Sequence, residues 1–136
     1  MINIKIDVEV NAPIDKVWAA WTNETDITNW NFASEDWSCP KATNNLAVGE
    51  KFNYRMEAKD GSMGFDFIGE YKKIEKNKLI EYVLEDNRKV SVIFSSNGEN
   101  SKIEEVFEAE DENSSEMQRQ GWQAILFNFK KHVESK

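Results

Sequence analysis

The sequence predicts an α+β fold: a six-stranded curved antiparallel sheet, two short helices after the first strand, and a long C-terminal helix packed on the sheet. Three observations predict it. Residues 2–10 alternate apolar and polar side chains without a break. Residues 51–107 form a succession of short alternating runs divided by turn dipeptides. The last twenty or so residues space their apolar side chains at helical intervals. Period two marks strands with one buried face, and a 3–4 residue period marks a helix with one buried stripe.

In the first strand Ile2, Ile4, Ile6, Val8 and Val10 face one way, and Asn3, Lys5, Asp7 and Glu9 the other. The pattern changes at Asn11-Ala12-Pro13, where proline suits the first helical position because its φ is already set and its missing donor would be orphaned there anyway. Ile14, Val17, Trp18 and Trp21 then make one apolar stripe. Asn23 is placed to cap a second short helix through Thr25, Ile27 and Trp30, with Asp26 near its positive end. Residues 31–50 lack periodicity and read as a long irregular connection, a feature often tied to function.

Beyond it, Phe52, Tyr54 and Met56 alternate with Lys51, Asn53 and Arg55, and Lys59-Asp60-Gly61-Ser62 turns the chain back. The return strand over 64–75 carries Phe65, Phe67 and Tyr71 on one side. Ile68 and Ile74 are out of phase with them, so a bulge or bend is expected near Gly69. Turns at Lys76-Asn77, Asp86-Asn87 and Asn97-Gly98 separate three further strands, 79–84, 90–94 and 103–107. After the acidic loop 108–112, Asn113 and Glu116 form a capping-box pattern. The helix that follows runs to about Val133, with Trp122, Ile125, Leu126, Phe129 and Val133 on its buried stripe and Lys130, Lys131 and His132 at its negative end.

At 136 residues the chain is expected to form a single domain, residues 1–136, large enough for a core that needs no disulfide or metal. The formal net charge of −8 and the lack of a basic stretch argue against nucleic acid and anionic membrane as partners. Cys39 is the only cysteine, and neither a signal peptide nor a transmembrane run is evident, so a cytoplasmic location is expected. No cofactor or metal is expected.

Several ordered motifs carry a family resemblance. Val10-Asn11-Ala12-Pro13-Ile14-Asp15-Lys16-Val17-Trp18, Trp21 and Trp30 resemble the start of START-like helix-grip proteins of the SRPBCC superfamily. Val48-Gly49-Glu50-Lys51-Phe52-Asn53-Tyr54, Gly69-Glu70-Tyr71 and Gly121-Trp122-Gln123-Ala124-Ile125-Leu126 extend the likeness over nearly the whole chain. Within that superfamily the chain resembles the Aha-type family, homologues of the C-terminal domain of the heat-shock ATPase activator. The resemblance implies the helix-grip fold. It leaves activity open, since the wider superfamily includes lipid and steroid carriers, hormone binders and polyketide cyclases, and a fold does not choose among them.

The residues themselves point away from catalysis. His132, the only histidine, sits among lysines at a helix end, and Cys39 has no histidine near it in sequence. Most strand carboxylates alternate with apolar residues as a solvated face does; Asp66 and Glu105, and the cation Arg55, are the charged groups to watch if bulges turn them inward. The aromatic supply of five Trp, eight Phe and three Tyr is more informative. Trp18 and Trp21 are assigned to the core. Trp30, Trp37, Phe52, Tyr54, Phe65, Phe67, Trp122, Leu126 and Phe129 are expected around a gap between the long helix and the sheet, with Tyr54 and Arg55 as polar anchors. The leading expectation is non-catalytic binding of a small hydrophobic or aromatic molecule there. The alternatives are a cyclase- or hydrolase-like enzyme using a pocket carboxylate or tyrosine, and an interaction module that contacts a chaperone or forms a homodimer, with off-stripe Phe127 as its marker.

Overall fold

The computed structural model describes residues 2–136. Its elements are β1 (Asn3–Val10), α1 (Ile14–Thr22), α2 (Glu24–Trp30), β2 (Trp37–Asn44), β3 (Lys51–Ala58), β4 (Gly64–Glu75), β5 (Leu79–Leu84), β6 (Lys89–Asn97), β7 (Asn100–Glu108) and α3 (Ser115–Glu134). The strands form one antiparallel sheet in the order β1-β7-β6-β5-β4-β3-β2. The two short helices therefore carry the chain from one sheet edge to the other, and α3 lies in the concave face.

The sheet has seven strands rather than six. The extra one, β2, lies in the stretch read as irregular. Ser38 pairs with Glu57 and Lys41 with Arg55, so Cys39 and Pro40 together oppose Met56 in a bulge. The bulge leaves Pro40 without a ladder bond to make, which is how a strand tolerates proline. It also changes the phase: Cys39 and Ala42 are buried, three residues apart instead of two. That slip and the small size of both side chains erase the alternation that marks a strand.

β1 has the expected register, with Ile4, Ile6, Val8 and Val10 buried against α3 and the outer residues exposed. On β4 the irregularity falls not at Gly69 but between Tyr71 and Lys73, where the pairing with β5 shifts by one residue. The shift restores Ile74 to the inner face opposite Ile80. Gly69 has a different purpose: a Cβ there would collide with the Phe52 ring and come within 2.9 Å of Tyr82. The turns use left-handed residues as their composition suggested, with Asn77, Asn87 and Gly98 at φ of 65°, 70° and 69°.

Helix ends follow local chemistry with two corrections. Asn23 does cap α2, its Oδ1 accepting from the Thr25 and Asp26 amides at 2.9 and 3.3 Å. Pro13 stands one position before α1 as its N-cap rather than inside the first turn. α3 is capped by Ser114, not Asn113: the Ser114 hydroxyl accepts from the Met117 amide at 3.1 Å. Asn113 instead offers its carbonyl to Gln118 Nε2 at 2.8 Å. Gln118 is a buried polar residue whose amide also bonds the Glu110 backbone through both its oxygen and its nitrogen, which pins the acidic loop to the helix.

Two sets of contacts seat α3. Arg119 Nη1, Gln123 Nε2 and Lys130 Nζ donate to the carbonyls of Lys5, Asp7 and Glu9 at 2.6, 3.0 and 2.8 Å. These carbonyls belong to the edge strand β1, so the helix covers an edge that would otherwise invite another chain. At its other end α3 is clasped to α2: His132 Nε2 lies 2.8 Å and Lys136 Nζ 2.6 Å from Asp26 Oδ1. Burial pushes the Asp26 carboxyl upward, but the hydrogen bonds and charges of Lys136 and His132 outweigh it and hold the group below its ordinary value. His132 thus does more than answer a helix dipole.

Candidate functional site

The concave face of the sheet and α3 do not close on each other along their full length. Toward the C-terminal end of α3 the contact is dense: Phe129 is fully buried, with its ring edge-on to Trp21 and Trp30 at centroid distances of 4.9 Å each. Trp21 also meets Trp30 at 4.8 Å and Phe94 at 5.8 Å, and Trp18 meets Phe94 at 5.1 Å. This aromatic plug holds the two short helices over the sheet. Toward the N-terminal half of α3 the surfaces diverge and leave a cavity of about 190 Å³.

The walls of the cavity come from β3, β4, β5, β7 and the three helices. β3 supplies Phe52, Tyr54 and Met56; β4 supplies Phe65, Phe67 and Tyr71. β5 adds Ile80 and Tyr82, and β7 adds Glu105. The helices contribute Trp21, Trp30 and Asn31 from one side and Trp122 and Ile125 from the other. The strand contributions follow from side-chain alternation, which sends residues two apart to the same face. The rings are in mutual contact: Phe52 lies 4.5 Å from Tyr54, 5.5 Å from Tyr71 and 4.9 Å from Tyr82. Phe65 and the half-buried Trp122 stand at the mouth. Phe65 is 48 % exposed, and Trp122 stacks on Phe107 at 3.9 Å.

Six residues expected around the gap do line it: Trp30, Phe52, Tyr54, Phe65, Phe67 and Trp122. Four others do not reach it. Leu126 and Phe129 are fully buried on the side of α3 that packs into the core, while only the Trp122 and Ile125 side faces the cavity. Trp37 packs its ring against Phe65 at 5.9 Å from outside the lining. Arg55 points to the opposite face of the sheet, where its guanidinium meets Glu57 at 3.0 Å and Asp66 at 3.7 Å. Since Tyr54 and Met56 point inward, Arg55 between them has to point outward, and Asp66 between Phe65 and Phe67 likewise. Trp21, assigned to the core alone, belongs both to the core and to the cavity wall.

The polar group that the cavity does contain is Glu105. It needs no bulge to point inward. Ile103, Glu105 and Phe107 are successive inner-face positions of β7, each buried. Its ladder neighbours are Ile6 on β1 and Val92 on β6, both apolar and buried. Among the described residues no side chain or backbone group hydrogen-bonds its carboxyl. Burial pushes that carboxyl up to about 8, so it holds its proton at neutral pH. The sequence carried the signal for this residue, a carboxylate in phase with Ile103 and Phe107, though not for its place beside a void.

The tyrosines are poor acids here. Tyr54 and Tyr82 are raised well above the ordinary phenol value, chiefly by burial, with the Glu105 carboxyl adding to the effect on Tyr82. Tyr71 is pushed up to about 12 by burial and donates to Asn44 Oδ1 at 2.5 Å. Asn31, at the end of α2, directs its Nδ2 to Met56 Sδ at 3.3 Å. Cys39 is buried, its thiol raised mainly by burial, and it bonds the Lys41 carbonyl at 3.6 Å. Among the described residues no group of three or more His, Cys, Asp and Glu is placed to hold a metal ion, and no helix is long and apolar enough to cross a membrane. The site can sequester an apolar group and offer it one carboxyl.

Comparison with known proteins agrees with this architecture. The family model described as Activator of Hsp90 ATPase homolog 1-like protein matches residues 11–134. An AHSA1-like protein from Aeromonas hydrophila, solved in solution, is 40% identical with a TM-score of 0.88, over 97% of this chain and 93% of that one. A protein from Cytophaga hutchinsonii is 44% identical with a TM-score of 0.85, over 98% of this chain and 92% of that one. A protein from Chromobacterium violaceum shares only 20% identity yet superposes with a TM-score of 0.88, over 98% of this chain and 99% of that one, a likeness of fold. No curated protein matches the chain.

Proposed function

The chain belongs to the Activator of Hsp90 ATPase homolog 1-like family, and from that premise we propose that it binds a small, mainly aromatic molecule in the cavity between the sheet and α3, without chemical turnover. The observation that carries this reading is the unfilled space itself. Cores of this size pack to near crystal density, and a void walled by aromatic rings forfeits contact energy unless something occupies it. Such apolar concavities with a few convergent polar groups are the usual form of small-molecule sites.

Size narrows the occupant. An engineered apolar cavity of roughly 150 Å³ takes benzene. The present volume of about 190 Å³ therefore suits a single substituted ring, or one end of a longer molecule that leaves past Phe65 and Trp122. Turnover is disfavoured by the chemistry of the walls. They hold no histidine and no nucleophile with a base beside it, their phenols are held protonated by burial, and Glu105 has no second acid–base group to work with.

The test is a thermal-shift and tryptophan-fluorescence screen of single-ring aromatic compounds against the native chain and Ile125→Trp, which adds a ring to the cavity wall and fills the space. A ligand at about a hundred times its Kd stabilises the native chain by about 2.7 kcal/mol. The filled variant should fold and lose that response. A screen in which no compound shifts the native chain, or in which the filled variant responds equally, removes the cavity as a binding site.

A further inference from the structure

Resting on the binding role above, we infer that the cavity selects for positive charge: its ligand is a small aromatic amine bound as the ammonium ion, with Glu105 as counter-ion and the surrounding rings as a cage. Three features lead there. Glu105 is 5 % exposed, faces the cavity, and has no hydrogen-bond partner among the described residues. Once ionised in that position the carboxylate needs a donor, and the protein does not supply one. None of the residues lining the cavity is Lys, Arg or His. An anionic ligand such as a carboxylate or phosphate would find no cation to meet it and, once Glu105 ionises near pH 8, a carboxylate to repel it.

The rings supply the second half of the recognition. Trp21, Trp30, Tyr54, Tyr82 and Trp122 line the same space as Glu105. A cation is attracted to a ring face by its quadrupole, a gain that a methyl group in the same position does not have. The net charge of −8 draws cations toward the chain from a distance.

The groups that face Glu105 make its response to pH simple. β1 and β6 flank it with Ile6 and Val92, and the titratable groups sharing the cavity are Tyr54, Tyr71 and Tyr82, all shifted upward. An ammonium ion binds the ionised carboxyl. Glu105 loses its proton only near pH 8 in the empty cavity, so affinity for a permanently charged ligand rises with pH up to that point. The slope should be about tenfold per pH unit below about 8, flattening above.

Three probes of one shape separate charge from apolarity: 2-phenylethylammonium, propylbenzene with methyl in place of ammonium, and 3-phenylpropanoate with carboxylate there. Each is titrated into the native chain and into Glu105→Gln by tryptophan fluorescence between about pH 6 and about pH 9, where the amine stays largely charged. The expected result is a preference for the ammonium over propylbenzene of at least about tenfold near pH 9, with no binding of the carboxylate. That preference should shrink as pH falls and vanish in Glu105→Gln, which still takes propylbenzene. Propylbenzene binding as well as the ammonium in the native chain near pH 9 overturns charge selection and leaves the apolar site standing. Preferred binding of the carboxylate overturns it too. If none of the three binds, both readings fall. The native pH profile stands by itself should the variant fail to fold, and a flat profile refutes the role of Glu105.

Discussion

Glu105 imposes a cost on the empty protein that its titration should reveal. In the unfolded chain its carboxyl ionises at an ordinary value near 4.5, whereas the fold holds the proton to about 8. Between those values the unfolded state binds fewer protons than the folded one, so stability falls as pH rises through that window. At pH 7 the loss is on the order of 3 kcal/mol. Glu105→Gln replaces the acid with a neutral amide of the same shape. We expect its denaturant midpoint to lie near that of the native chain at about pH 5 and above it by pH 8 to 9. The amide's own unmet hydrogen bonds, about 1–3 kcal/mol, set the limit to the gain. Matching pH dependence in the two proteins would place the titration elsewhere. Gly69 shows the opposite economy: by omitting a side chain it lets Phe52 and Tyr82 occupy the inner face at the cavity wall.

Among the elements, α3 has three distinct tasks along its length, and its two large aromatics should report different ones. Phe129 is fully buried in the plug with Trp21 and Trp30, and Phe129→Ala should cost about 3–5 kcal/mol. Trp122, expected on the buried stripe, is half-buried, stacked on Phe107 and lining the cavity. Trp122→Ala should cost about 2 kcal/mol, since less area leaves water, while enlarging the opening and weakening any ligand seated there. Urea melts of the two variants, with ligand titration of the second, would show the split. Equal costs would mean that the N-terminal half of α3 is packed as tightly as the rest. The third task is edge protection, performed by the Arg119, Gln123 and Lys130 bonds to β1 carbonyls.

For the molecule as a whole, these tasks make the sheet dependent on its last helix. Removing residues after Asn113 would expose the inner faces of β1, β6 and β7, including Ile4, Ile6, Val92 and Phe107, and uncover the β1 edge. An open apolar face beside an unpaired edge is an aggregating surface. The truncated chain should therefore be insoluble or non-cooperative in unfolding, as judged by sedimentation and denaturant melts. A soluble, cooperative truncated sheet would show that α3 docks on a core already complete without it.

Much of this was legible in the chain because it depends on neighbours in sequence. Strict alternation from Ile4 to Val10 sufficed for β1, Asn23 for the start of α2, and Asn77, Asn87 and Gly98 for three of the hairpin turns. The ordered aromatic and glycine motifs were enough for the fold family. Where two local signals conflicted, the reading failed: Pro40 and a bulge hid β2, and Asn113 competed with Ser114 for the helix cap. The site was legible only in part. Alternation put Tyr54, Phe65 and Phe67 on the inner face, and the same rule applied to β3 would have turned Arg55 outward. Whether an inward side chain meets another or meets empty space depends on how far α3 diverges from the curved sheet, a distance set by residues a hundred positions apart. Periodicity assigns a face to each residue. Only tertiary packing decided that Phe129 fills its space, that Trp122 leaves some open, and that Glu105 stands beside the opening without a partner.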